Sequence, residues 1–200
     1  MKIVQIGANR GNDELTRIIR EKVNTLNFLL LVEPLEKFNK NLQECYRDVT
    51  NLNIENIAIV DDNTLETTTM FLHKSMDENM EQASLKKSHI DMVFDRPEYN
   101  SSGLSHKEQI IELKVKCSTF NSLMEKYGVN EIDILFIDAE GLDDIIIKSI
   151  DFKSITIREI YYENMHINNE SLENFLSERG YQIQHGTSES MNNNIARLTI

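Results

Sequence analysis

The sequence predicts an α/β protein, a mostly parallel and doubly wound sheet formed as a single domain over residues 1–200. Three observations predict it. Short apolar runs alternate with helix-periodic segments along most of the chain. The runs "KIVQIGA" and "FLLLVEP" are apolar at consecutive positions, as strands covered on both faces are. The last two apolar runs have no helix between them, which predicts a C-terminal antiparallel hairpin and one reversed strand near an edge.

The elements follow in order. "KIVQIGA" is the first strand. Asn12 then caps a helix with the stripe Leu15, Ile18, Ile19, Val23 and Leu26, and Asp13 and Glu14 occupy its first turn. Residues 28–34 are a second strand, closed by Pro34, which has no N–H to give a ladder. Phe38, Leu42, Cys45, Tyr46 and Val49 mark a second helix, and "IENIAIV", 54–60, a third strand. Residues 67–74 read as a strand, residues 75–109 are polar, and "DRPEYNSSG", 95–103, is a loop. Residues 62–109 as a whole are expected to be an insertion carrying a mobile, lid-like loop. "IIELKVKC", 110–117, is another strand. Ser118 or Thr119 caps a helix with Phe120, Leu123, Met124 and Tyr127 on one face, ended by Gly128. The strongest strand is "IDILFIDAEG", 132–141, followed by a helix over 143–150 and a strand at 158–164. A helix carrying Leu172, Phe175 and Leu176 ends at Gly180, and "YQIQHGT" and "NIARLTI" form the hairpin.

A formal net charge of −12 and a pI near 4.9 argue against nucleic acid and against an anionic membrane surface. No apolar run approaches the ~20 residues of a membrane span, and no signal peptide precedes the first strand, so a cytoplasmic protein is expected. Cys45 and Cys117 show no CxxC spacing, which predicts buried thiols in a reducing compartment rather than a disulfide framework or zinc site.

Polar residues collect where the strands end. The first strand delivers Gln5, Gly7, Ala8, Asn9 and Gly11, the second Glu33, the third Ala58 and Asp61. "FIDAEG" delivers Asp138 and Glu140, and "IYYEN" Glu163, with His166 soon after. Unpartnered carboxylates are costly to bury, so a solvated cleft or a ligand is implied. The first loop has GxxxG spacing, not the GxGxxG of dinucleotide binders. Glu33 follows at the distance from which a carboxylate accepts both hydroxyls of a ribose. A pyrophosphate sits at the N-terminus of the first helix in dinucleotide sites. Here Asp13 and Glu14 would repel it, whereas S-adenosylmethionine brings an ammonium, a sulfonium and no phosphate.

The segments "VQIGANRGND", "LLVEPLEKFNKNL", "NIAIVDD", "VKCSTFNSLMEKYGVNEIDILFIDAEGLDDIIIKSIDF" and "IYYEN" together resemble the FkbM-type S-adenosylmethionine-dependent methyltransferases. The resemblance follows the whole chain, and its most specific part is the Asp-x-Glu-Gly of "FIDAEG". It implies a Rossmann-like, seven-stranded methyltransferase fold and methyl transfer to a hydroxyl of a sugar or other small metabolite. It also implies a cofactor role for Gln5, Gly7, Ala8, Asn9 and Gly11 along the methionine part and for Glu33 at the ribose. Leu35 would then pack near the adenine, Asn56, Ala58 and Asp61 on the adenine-side loop, and Asp138 and Glu140 beside the methyl. Gln5 departs from the Asp or Glu common in methyltransferases, though its carbonyl can still accept from an ammonium. The candidates for the base that takes the acceptor proton are Asp138, the first choice because it ends the central strand, and Glu140, Glu163 and His166. Asp138 and Glu140 could offer oxygens to a divalent metal, but with no third clear ligand none is assigned. Two alternatives stand beside this reading: a catalytically silent methyltransferase-like binding domain, and a nicotinamide-dependent oxidoreductase.

Overall fold

The computed structural model describes residues 1–11, 14–74, 83–95, 105–186 and 193–199. Strand β1 (Lys2–Ile6) lies in the interior of the main sheet. It runs parallel to β2 (Phe28–Val32) on one side and to β7 (Glu131–Ile137) on the other, with Val4 beside both Leu30 and Leu135. β3 (Leu52–Glu55) extends the sheet beyond β2. β8 (Thr156–Glu163) extends it beyond β7, and β10 (Asn193–Leu198) lies antiparallel between β8 and β9 (Tyr181–Gln184). The order is β3-β2-β1-β7-β8-β10-β9. The chain builds outward from β1 in one direction and then in the other, so strand order reverses between β1 and β7. That is where open α/β sheets bind ligands.

The consecutive apolar residues are explained by two cores. Ile3, Leu29, Leu31, Ile134 and Phe136 face α1 (Glu14–Glu21) and α2 (Asn39–Cys45). Their neighbours Val4, Leu30, Leu135 and Ile137 face α4 (Phe120–Tyr127), α5 (Asp143–Ser149) and α6 (Asn169–Ser177). Alternate side chains point to opposite faces, so a strand sandwiched by helices must be apolar at every position.

The middle of the chain differs from the sequence expectation. The run 54–60 is not one strand: β3 ends at Glu55, and β4 (Ala58–Ile59) joins a separate three-stranded sheet. That sheet has the order β4-β6-β5, with β6 (Ile110–Ser118) parallel to β4 and antiparallel to β5 (Thr67–His73). The strand expected at 110–117 therefore lies outside the main sheet. Within the polar stretch 75–109 stands an unexpected helix, α3 (Lys87–Phe94), which buries His89, Ile90 and Phe94. β7 ends at Ile137, so residues 138–141 form a loop rather than the end of a strand. Asn12, Asp13, most of 95–103 and the hairpin connector 187–192 lie outside the described residues. Cys45 and Cys117 are both free thiols. Among the described residues no helix is long and apolar enough to cross a membrane.

Candidate active site

The loops after β1 and β7 touch. Gly7 has φ +77°, and a Cβ on it would lie 1.9 Å from the Asp138 carbonyl oxygen. The backbone amides of Gly7 and Ala8 both donate to the Val32 carbonyl, at 2.9 and 3.1 Å, tying this loop to the end of β2. Asn9, itself at φ 46°, donates its amide to Glu33 Oε2 at 2.9 Å, and the Leu35 amide donates to Glu33 Oε1 at 2.8 Å. Glu33 is only 6% exposed. Burial pushes its carboxyl up to about 7, against the opposing pull of those two amides and Lys37. Two backbone bonds hold the carboxylate in place and leave it lone pairs for a ligand.

Glu33 lines a cavity of about 380 Å³ together with Gly7, Asn9, Asp138 and Glu140. Leu35, Phe38, Ile57, Ala58 and Met70 make much of its apolar wall. That volume suits a nucleoside-sized ligand. The Phe38 ring is flanked by cations, with Lys37 Nζ at 4.8 Å and Arg10 Cζ at 5.7 Å from its centroid.

At the other end of the polar row, Glu140 has a left-handed backbone, φ 50°. Ser84 Oγ donates to the Glu140 carbonyl at 3.0 Å, and Lys86 Nζ donates to the Gly141 carbonyl. His89, 5% exposed, brings Nε2 to 3.0 Å from Glu140 Oε2, and the His166 ring stands edge-on to it at 5.2 Å. Burial and the Glu140 charge raise the Glu163 carboxyl to about 7, while His89 opposes them. Asp143 is fully buried and also raised to about 7, by burial and then by Glu163. It accepts from the amides of Ala139 and Glu163, each at 3.3 Å, and so ties the loop after β7 to the end of β8.

The sequence model of the methyltransferase FkbM domain matches residues 5–183. The chain belongs to the FkbM methyltransferase family. A crystal structure of an FkbM methyltransferase from Methylobacillus flagellatus KT superposes with a TM-score of 0.55 at 13% identity, covering 98% of this chain and 43% of that one. This chain therefore spans less than half the length of that protein. The fibrillarin/Nop5p complex, at 14% identity, and the CurJ carbon methyltransferase, at 11%, both give TM-scores of 0.42. They cover 100% of this chain and 72% and 49% of their own chains. No curated protein matches the sequence.

In this FkbM domain the cavity gathers Gly7, Asn9, Glu33, Leu35, Ala58, Asp138 and Glu140 from among the residues singled out by sequence. The others stand off it. Gln5, within β1, and Ala8, in the loop after it, are fully buried. Gly11 packs against Leu42 and Cys45, and the Cys45 thiol donates to its carbonyl at 3.1 Å. Asn56 and Asn39 exchange side-chain amide bonds at 2.7 and 2.8 Å, and Asn56 also donates to the Glu33 carbonyl at 3.0 Å. Asp61 and His166 are exposed, and Glu163 is half-buried behind Glu140. Phe38 and His89 were not singled out for the site. Phe38 has the spacing of a core residue, and His89 sits in a polar stretch where only Ile90 and Phe94, four apart, hint at a helix.

Proposed function

We propose that this FkbM domain binds S-adenosylmethionine in the cavity and transfers its methyl group to a hydroxyl of a small metabolite, a sugar being one such acceptor. The observation that carries this reading is Glu33. A carboxylate buried beside a glycine loop at the reversal of strand order, with lone pairs left over after its two backbone bonds, is costly to desolvate without a ligand. It does suit the paired hydroxyls of a ribose. The rest of the cavity fits the same cofactor. Gly7 and Asn9 would hold its methionine part, and Leu35, Phe38 and Ala58 offer apolar surface for an adenine. Asp138 and Glu140 lie at the end where the methyl would face an acceptor. The Asn9 side-chain oxygen is buried without a hydrogen-bond partner among the described residues, which leaves an acceptor for an ammonium.

When bound, S-adenosylmethionine supplies a methyl already made electrophilic by its sulfonium. The protein's part is to align the acceptor oxygen, exclude water and receive a proton. Calorimetry with S-adenosylmethionine, S-adenosylhomocysteine and NAD tests the cofactor. The first two should bind and NAD should not; NAD binding alone would point to an oxidoreductase. A methyl-release assay over sugars and other hydroxylated metabolites then tests the reaction. Cofactor binding without transfer to any of them would favour a silent binding domain.

A further inference from the structure

Three residues of one short segment grip a single turn of the site. Ser84 holds the Glu140 carbonyl, Lys86 holds the Gly141 carbonyl, and His89 faces the Glu140 carboxylate. The turn they hold is strained, since Glu140 is a non-glycine residue at φ 50°. Of the His89–Glu140 pair only Glu140 lines the cavity; the imidazole is packed behind it, with Nδ1 against Gly141. The usual arrangement of a carboxylate supporting an imidazole is reversed here. The His89 Nε2 lies 3.0 Å from the Glu140 carboxylate but is not aligned as a hydrogen bond, a common state for catalytic pairs before substrate arrives.

We infer that Glu140 takes the acceptor's proton and that His89, from the segment between β5 and β6, is the positioning residue that aims its carboxylate at the methyl end of the cavity. This rests on the methyl-transfer reading above. Glu140 takes the hydroxyl proton as the freed oxygen pair bonds to the methyl carbon, and the pair of the broken carbon–sulfur bond stays on sulfur. The His89 imidazole, packed 3.0 Å from the Glu140 carboxylate, limits the directions in which that carboxylate can point.

Sinefungin tests this without a known acceptor. It is an analogue of the cofactor with an amine-bearing carbon in place of the methylsulfonium, so its ammonium probes the methyl position. S-adenosylhomocysteine has no charge there. Calorimetry gives the ratio of their dissociation constants for each variant. Wild type should prefer sinefungin, and Glu140→Gln should cut that preference by about tenfold or more, the worth of one charge-assisted hydrogen bond. His89→Gln should cut it several-fold while S-adenosylhomocysteine binds within about twofold of wild type. The double variant should be no worse than Glu140→Gln, because both act through one carboxylate. Glu140→Asp withdraws the carboxylate without touching α3, and should also reduce the preference. An undiminished preference in Glu140→Gln overturns the proposal. So does a parallel loss of both ligands in His89→Gln, which would make the imidazole a structural support only. Failure of S-adenosylhomocysteine to bind wild type is a separate result and removes the cofactor reading itself.

Discussion

Gly7 is under two constraints at once. Its φ of +77° suits glycine, and a Cβ would collide with backbone, the Asp138 carbonyl oxygen, at 1.9 Å. A flexible side chain could move aside, but a backbone carbonyl tied to β1 through its own residue's amide cannot. Gly7→Ala should therefore part the ends of β1 and β7 and cost about 3 kcal/mol, combining left-handed strain with overpacking. Urea denaturation should show the loss, and calorimetry should show S-adenosylmethionine binding abolished; an alanine variant that still binds normally would refute the close approach. Residues of this kind were legible in the sequence. Gly7, Glu33 and Asp138 each follow a strongly apolar strand, and the pattern that reveals the strand also places them. His89 was not legible. A single histidine in a polar segment has no periodicity, and its meaning comes from Glu140, 51 positions later in the sequence.

At the scale of elements, the break between β3 and β4 is the instructive case. The run 54–60 is apolar enough to read as one strand, yet the chain leaves the main sheet after Glu55. The departure is held by side chains: Asn56 exchanges amide bonds with Asn39 and also donates to the carbonyl of Glu33. Hydropathy cannot show this, because the partners lie 17 and 23 residues away. Asn56→Ala would strip these half-buried groups of their partner, a loss of about 1–3 kcal/mol. Urea titration should read that cost. Because Asn56 does not line the cavity, S-adenosylmethionine affinity should weaken far less than in Glu33→Gln; an equal loss in both would mean that Asn56 touches the ligand. The same limit hid α3. Its eight residues bury one flank against β5 inside a stretch whose average composition is that of a loop.

For the whole molecule, the alternation of strands and helices was enough to expect the doubly wound sheet and its antiparallel C-terminal pair, because both depend on local pattern. The second sheet was not legible, since its β4–β6 pair joins residues far apart in the sequence, Ala58 beside Cys117. The completed topology gathers acids from distant segments at one sheet edge: Glu33 after β2 and Asp143 at the start of α5, both buried, and the half-buried Glu163 at the end of β8. All three carboxyls are raised to about 7, chiefly by burial. Each binds a proton in the folded state at pH values where the unfolded chain has already lost it. Stability should then fall as pH rises from about 4.5 to about 7 and stay low above it. Exposed carboxylates such as Asp48 and Asp62, held below their usual values by Arg20 and Thr64, act oppositely and lose their contribution in more acidic solution. Maximum stability of the ligand-free protein is accordingly expected near pH 5, with a lower urea midpoint at pH 8. The net charge of −12 adds repulsion in the same direction, so the decisive comparison is with Glu33→Gln. That variant should lose the part of the slope due to Glu33, at most about 3 kcal/mol for a shift of this size. Saturating S-adenosylhomocysteine should flatten the wild-type curve as well, because a ribose diol donating to Glu33 favours its ionised form. A Glu33→Gln curve parallel to wild type across this range would show that the Glu33 carboxyl is not raised, and that the buried acid at the end of β2 is ionised without a ligand.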